Sequence, residues 1–133
     1  MGAGDLVAEE LEEFSEAGRV LFSLGLVRLS EGNLSTFDGR TLRITQTGSE
    51  LVALSEGDVL AGTLDDPPPG ASSDLAIHVA TYRARGAGAV AHAHPGGTVA
   101  EGWVEGEEHG VYAFAPTLSQ AVEEIVRAAR HGA

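Results

Sequence analysis

The chain contains no cysteine and no lysine, few aromatic residues, and no apolar run long enough to cross a bilayer. Without cysteine there can be no disulfide, no thiolate metal ligand and no cysteine nucleophile, so any metal site must be built from histidine and oxygen. Without lysine no Schiff base can form with a carbonyl substrate, which excludes an amine-dependent aldolase. Basic residues are scarce altogether: 8 arginines stand against 20 acidic residues, for a formal charge of -12. This argues against nucleic acid as a partner, and none is expected, since phosphate-backbone binding relies on clustered cations. No apolar segment approaches the roughly 18 residues of a membrane span, so no membrane partner is expected. The first residues, MGAGDLVAEELEEF, have neither a basic n-region nor an apolar h-region, and the expected location is cytoplasmic.

What is present suits one α/β domain covering residues 1–133. Val7, Leu11, Phe14, Gly18, Leu21 and Leu24 recur at helical spacing over 5–25, with glutamates on the other face. GNLSTF and RTLRIT flank Asp38-Gly39, a dipeptide suited to a two-residue hairpin turn between antiparallel strands. A helical turn is expected at 50–54 and a strand at 58–63. The triplet Pro67-Pro68-Pro69 makes a stiff surface connection into a helix over Ser73–Arg85, where Ser73 and Asp74 are suited to capping the first turn. GAVAHAH and HGVYAFA read as strands around a glycine-rich, acidic stretch. TLSQAVEEIVRAARH reads as a closing helix with Thr117 and Gln120 as its capping box. Strands that follow one another without a crossover helix imply a mostly antiparallel sheet layered against helices.

The chemistry concentrates in GAVAHAHPGG, residues 88–97. On an extended chain His92 and His94 share one face, where two imidazoles can grip one ion. Taken alone, such a pair is weak evidence, more often ordinary surface or core histidines than a metal site. His109 stands just before the next strand, where a return connection would bring a third imidazole alongside. Three imidazoles and one open position form a catalytic divalent-metal site, most often zinc. Of the other two histidines, His78 reads as a packed or interface residue and His131 as a partner for the negative end of the last helix. Trp103 reads as a packing anchor for the acidic loop.

The succession GNLS (32–35), ITQTG (44–48), ASSD (71–74), TYRARGAGAVAHAHP (81–95) and EHGVYAFAPTLSQAVE (108–123) resembles the class II aldolase/adducin family. The resemblance implies a three-layer α/β/α fold and a metal-dependent lyase acting on a small phosphorylated sugar or related hydroxy-carbonyl compound through a metal-stabilised enediolate. By the same resemblance His92, His94 and His109 hold a divalent metal, most commonly Zn2+. Asn33, Thr47, Gly48, Ser72 and Ser73 hold the substrate phosphate, and Asp74 is the general acid/base. Short polar side chains and backbone amides at turns and a helix N-terminus form an anion site without lysine, which agrees with this assignment. A homo-oligomer, commonly a fourfold-symmetric tetramer, is also implied.

The sequence departs from the family pattern in three respects. Aspartate at 74 replaces the usual glutamate, one methylene longer. Only 14 residues, Pro95 to Glu108, separate the His-x-His pair from the third histidine, where the family has a much longer segment. A tail expected after the last helix is missing from the sequence. These departures keep open a second reading, a degenerate member that binds metal or phosphate ligand as a binding or assembly module. Asp74 could equally be a plain helix cap. A third reading, a cupin using Glu101 as ligand, suits the helices at both ends of the sequence poorly.

Overall fold

The computed structural model describes residues 6–28, 31–72, 74–94, 105–106 and 110–131, without the side chains of 105, 106, 130 and 131. Helix α1 (Ala8–Ser23) leads into strands β1 (Asn33–Phe37) and β2 (Leu42–Thr45), two short 3-10 turns (Leu51–Ala53 and Glu56–Asp58) and β3 (Val59–Gly62). Helix α2 (Leu75–Arg85), strands β4 (Gly88–Ala93), β5 (Glu105–Gly106) and β6 (Gly110–Ala115), and helix α3 (Leu118–His131) follow. The strands form one sheet in the order β3-β2-β1-β4-β6-β5. Every described pairing is antiparallel.

Alternation along the strands assigns the layers. Leu34 of β1, Ala89, Ala91 and Ala93 of β4, and Val111, Ala113 and Ala115 of β6 face one side, where they pack with Phe14, Ala17 and Leu21 of α1 and Leu118, Ala121, Val122 and Ile125 of α3. The intervening residues Phe37, Val90, Tyr112 and Phe114 face the other side with Leu42, against Leu75, Val79 and Tyr82 of α2. The result is the expected three-layer α/β/α arrangement. Alanines on the first face let α3 lie close to the sheet. Gly18 lets α1 lie close to the 3-10 turn at Leu51–Ala53, since a Cβ there would sit 2.0 Å from the Leu51 carbonyl oxygen.

Four local expectations are revised. The β1–β2 connection is a four-residue loop, because the last strand pair is Phe37 with Leu42. Asp38 explains the extra length: its Oδ1 accepts hydrogen bonds from the amides of Arg40 (2.9 Å) and Thr41 (2.7 Å), an Asx turn that Gly39 completes at φ +101°. The proline segment does not lie wholly on the surface, since Pro68 is buried as the chain folds back on the end of β3. A short strand, β5, stands in the glycine-rich acidic stretch read as loop. Val7 and Leu24, which extend the apolar stripe in sequence, fall just outside α1 and are exposed. The Thr117 hydroxyl does cap α3, accepting from the Gln120 amide at 3.2 Å.

The acidic face of α1 is also less solvated than its composition implies. Glu10 pairs with Arg43 at 3.0 Å, and Arg43 is itself almost fully buried on β2.

Candidate active site

Antiparallel pairing aligns Asn33 of β1 with His92 of β4, and His92 in turn with Tyr112 of β6. These three side chains therefore stand in a row across the centre of the sheet, on the α2 face. His92 is buried and donates from Nδ1–H to the Val111 carbonyl at 2.9 Å. In the neutral ring that bond leaves the lone pair on Nε2, the arrangement that orients a metal-binding imidazole. Nε2 lies 3.4 Å from Asp74 Oδ2. A lone pair and a carboxylate oxygen facing each other this closely call for a positive charge, either a proton or a cation. The half-buried His94 ring meets His92 edge to face with centroids 4.7 Å apart.

Gly110 closes this corner. It has φ +71°, and a Cβ on it would fall 2.2 Å from the Ala93 carbonyl oxygen, 3.0 Å from His92 Cε1 and 3.0 Å from His94 Nδ1. Only glycine lets the chain pass here. The residue before it, His109, lies outside the described residues, as do Ser73, Glu101 and Trp103. Among the described residues no three histidine, aspartate or glutamate side chains are grouped closely enough to hold an ion. The two described imidazoles suit a divalent ion in kind, being adjacent and with the His92 tautomer fixed by a backbone carbonyl, and a further ligand would have to come from outside the described residues.

Asp74 occupies the N-cap position of α2, but its side chain makes no capping bond. The carboxylate turns instead toward the sheet and accepts a hydrogen bond from Asn33 Nδ2 at 2.8 Å. Capping does not account for this residue. Burial opposes its ionisation, but the Asn33 amide, the positive charge His92 can carry, the Tyr112 hydroxyl and His78 outweigh burial and hold it below the usual carboxylate range.

The turn at 46–48 and the segment 70–72 lie side by side. Gln46 bridges to Ala71, the Thr47 amide donates to the Gly70 carbonyl at 2.9 Å, and the Ser72 amide donates to the Thr45 carbonyl at 3.2 Å. Thr47 and Gly48 are exposed and Ser72 is buried. The Ser72 hydroxyl accepts from the Asp74 amide at 3.2 Å and keeps its own proton to donate. Asn33, Thr47, Gly48, Ser72 and Asp74 thus gather at the end of the sheet that carries the histidines.

Three side chains of this region, Tyr112, Ser35 and Tyr82, escape a reading from sequence, whereas His78 is packed as expected. Tyr112 stacks on His92, with centroids 3.9 Å apart and planes 13° from parallel. Its hydroxyl is buried without a well-formed hydrogen bond, and burial together with the Asp74 carboxylate holds it far above the ordinary phenol range. His78, Ser35 and Tyr82 lie behind Asn33 and are hydrogen-bonded to one another and to it. Period-two alternation from His92 across the sheet was the available signal for Tyr112. Nothing local marks Ser35 or Tyr82.

His78 carries a consequence for stability. Burial, reinforced by His92 and opposed by Asp74, lowers its pKa from 6.5 to about 3. The unfolded chain therefore takes up a proton between these values that the folded chain refuses. The stability tied to neutral His78 is complete above pH 6.5 and declines as pH falls toward 3, by up to about 1.4 kcal/mol per pH unit. Urea unfolding at pH 7, 6 and 5 should show this decline in the parent protein and a smaller one in His78→Gln. Parallel curves would remove His78 as its source.

The family model described as "Class II Aldolase and Adducin N-terminal domain" matches residues 12–108, ending one residue before His109. A "Probable bifunctional methylthioribose-1-phosphate isomerase/methylthioribulose-1-phosphate dehydratase" from Nocardia farcinica is 35% identical over 97 residues, which is 68% of this chain and 18% of that protein. The chain thus spans less than a fifth of the length of that curated relative. The crystal structure of L-fuculose-1-phosphate aldolase from Thermus thermophilus superposes with a TM-score of 0.77 at 23% identity, covering 91% of this chain and 90% of that one. YgbL from Escherichia coli superposes with a TM-score of 0.75 at 18% identity, covering 93% and 86% respectively. At these identities the two structures establish the fold alone.

Proposed function

Because the chain belongs to the class II aldolase/adducin family, we propose that it is a metal-dependent, aldolase-type lyase acting on a small phosphorylated hydroxy-carbonyl compound. The observation that carries the proposal is the Asp74 carboxylate, which leaves its own helix end unbonded to meet Asn33 and His92. An ionised carboxylate held there is a base beside the electrophilic centre.

Asn33, Thr47, Gly48, Ser72 and Ser73 bind the phosphate through side-chain and backbone donors at the mouth of α2, whose positive N-terminal end favours an anion. In the cleavage direction Asp74 takes the proton of the substrate hydroxyl β to the carbonyl. The bond between the α and β carbons then breaks, its electron pair moves into the carbonyl, and a proton returns to the α carbon. The Tyr112 hydroxyl, neutral and buried beside Asp74, donates a hydrogen bond to a substrate oxygen during these transfers. A divalent metal on His92, His94 and His109, most commonly zinc, would supply Lewis-acid polarisation of the carbonyl. The unit is a single domain, residues 1–133, with an internal deletion between Pro95 and Glu108, and its setting is a cytoplasmic homo-oligomer.

The Nocardia relative supports a second outcome of the same proton chemistry, loss of water instead of carbon–carbon cleavage, since its name includes a dehydratase. Incubating the metal-loaded protein with a panel of phosphorylated ketoses and following products by phosphorus and carbon NMR separates the two. A new aldehyde with a shorter phosphorylated or free carbonyl fragment is the expected product. A single dehydrated product would favour the relative's chemistry. Tight binding across the panel without turnover would replace the enzyme by a binding module.

A further inference from the structure

Four hydrogen bonds join five side chains into one line ending at the site. Tyr82 Oη lies 2.7 Å from Ser35 Oγ, and Ser35 Oγ lies 2.6 Å from His78 Nδ1. His78 Nε2 lies 2.5 Å from Asn33 Oδ1, and Asn33 Nδ2 lies 2.8 Å from Asp74 Oδ2. Except for Asp74 every member is buried: exposure is 0% for His78 and Ser35, 1% for Tyr82 and 4% for Asn33. Water is therefore not available to exchange for a missing partner.

The direction of each bond follows from the end of the line. An ionised carboxylate only accepts, so Asn33 must present its NH2 to Asp74 and its carbonyl to His78. That carbonyl needs a donor, which places the single N–H of the neutral ring on Nε2. Nδ1 then holds a lone pair, Ser35 donates to it, and Ser35 accepts in turn from Tyr82. No member can be turned round alone. A flipped Asn33 amide would set two oxygens 2.8 Å apart at Asp74 and two hydrogen-bearing nitrogens against each other at His78.

We propose that His78 is a positioning residue: as its Nε2–H tautomer, set by Ser35 and Tyr82, it fixes the orientation of the Asn33 amide so that the NH2 group faces Asp74 and the bound ligand. One Nδ2–H engages Asp74, and the second is directed to a phosphoryl or hydroxyl oxygen of the ligand. The functional half of this inference rests on the reading of Asn33 and Asp74 as site residues.

The test has two arms, both on the full chain. In the first, long-range nitrogen–proton NMR of the uniformly 15N-labelled protein at pH 7 is expected to show His78 as a neutral ring protonated on Nε2. A ring protonated on Nδ1, or on both nitrogens, overturns the proposal outright. In the second, inorganic phosphate is titrated into the parent, His78→Leu and His78→Gln proteins. His78→Leu removes the donor to Asn33, and phosphate affinity is expected to fall about tenfold, the order for one misdirected hydrogen bond to a charged ligand. Glutamine can place an amide N–H near the position of Nε2, so His78→Gln is expected to recover most of the loss. Equal affinity in all three proteins overturns the positioning role, as does an equal loss in both variants when each retains the parent's amide spectrum. If His78→Leu does not fold, the tautomer and the His78→Gln titration still decide. Failure of the parent itself to bind phosphate contradicts the phosphate assignment above, while the tautomer measurement judges the relay separately.

Discussion

Replacing Asp74 by asparagine is expected to lower kcat on the turned-over phosphorylated substrate by about 10²–10⁴-fold, the usual contribution of a positioned acid/base, with KM nearly unchanged. Asparagine preserves the size of the side chain, and its carbonyl oxygen can still accept from Asn33 Nδ2, so the amide donors around the phosphate stay in place. What it cannot do is carry a proton. Asp74→Glu restores the residue usual in the family but lengthens the side chain on a backbone that places Asp74 within 3.4 Å of His92 Nε2. Its kcat should fall between the parent and Asp74→Asn, because misplacement of about 1 Å can cost a hundredfold. Steady-state kinetics on the metal-loaded proteins checks both. Equal turnover by Asp74→Asn would remove this carboxylate from the chemistry.

The second large effect concerns Gly110. An alanine there must adopt φ +71° and place its Cβ 2.2 Å from a backbone oxygen of β4. That oxygen belongs to Ala93, which is paired with Val111 in the centre of the sheet, so it cannot easily withdraw. Backbone strain of about 1–3 kcal/mol adds to an overpacking cost of about 1–3 kcal/mol, and urea unfolding should show a loss of about 2–6 kcal/mol. Gly39 provides the comparison: its φ is +101°, but a Cβ there meets nothing within 4 Å. Gly39→Ala should therefore lose only the strain component. Because the same Cβ would press on both imidazoles, Gly110→Ala should also lose metal affinity, while Gly39→Ala should keep it. Equal losses of stability in the two variants would show that the close approach of β6 to the histidines is not what constrains this position.

Much of the fold could be read from local pattern. The stripe Phe14, Gly18, Leu21 identifies α1, and the alternation in GAVAHA separates the alanine face that packs under α3 from the face that carries His92. Turn chemistry was harder to read: Asp38-Gly39 has the composition of a two-residue turn, but the Asx bonds from Asp38 lengthen it to four. The candidate site was legible where a short motif holds its parts, as in His92 and His94, or Ser72 and Asp74. It was not legible where parts meet only through sheet register or through the packing of α2 on the sheet. Tyr112 reaches His92 because β4 and β6 align those residues, and His78 reaches Asn33 across 45 positions of sequence. The direction of the Asp74 side chain was likewise beyond reach. Capping and catalysis ask for the same residue at the same position, and only the structure shows that the carboxylate leaves the helix end to meet the Asn33 amide and the His92 ring, both supplied by the sheet.

The central claim is that His92, His94 and His109 hold one divalent cation next to Asp74. Metal analysis of protein purified without added metal, alongside His109→Ala prepared in the same way, tests it most directly. The account predicts about one divalent ion per chain in the parent and almost none in the variant, with the variant still folded. An unchanged metal content in folded His109→Ala, or a parent that takes up no divalent ion even when one is supplied, would contradict it.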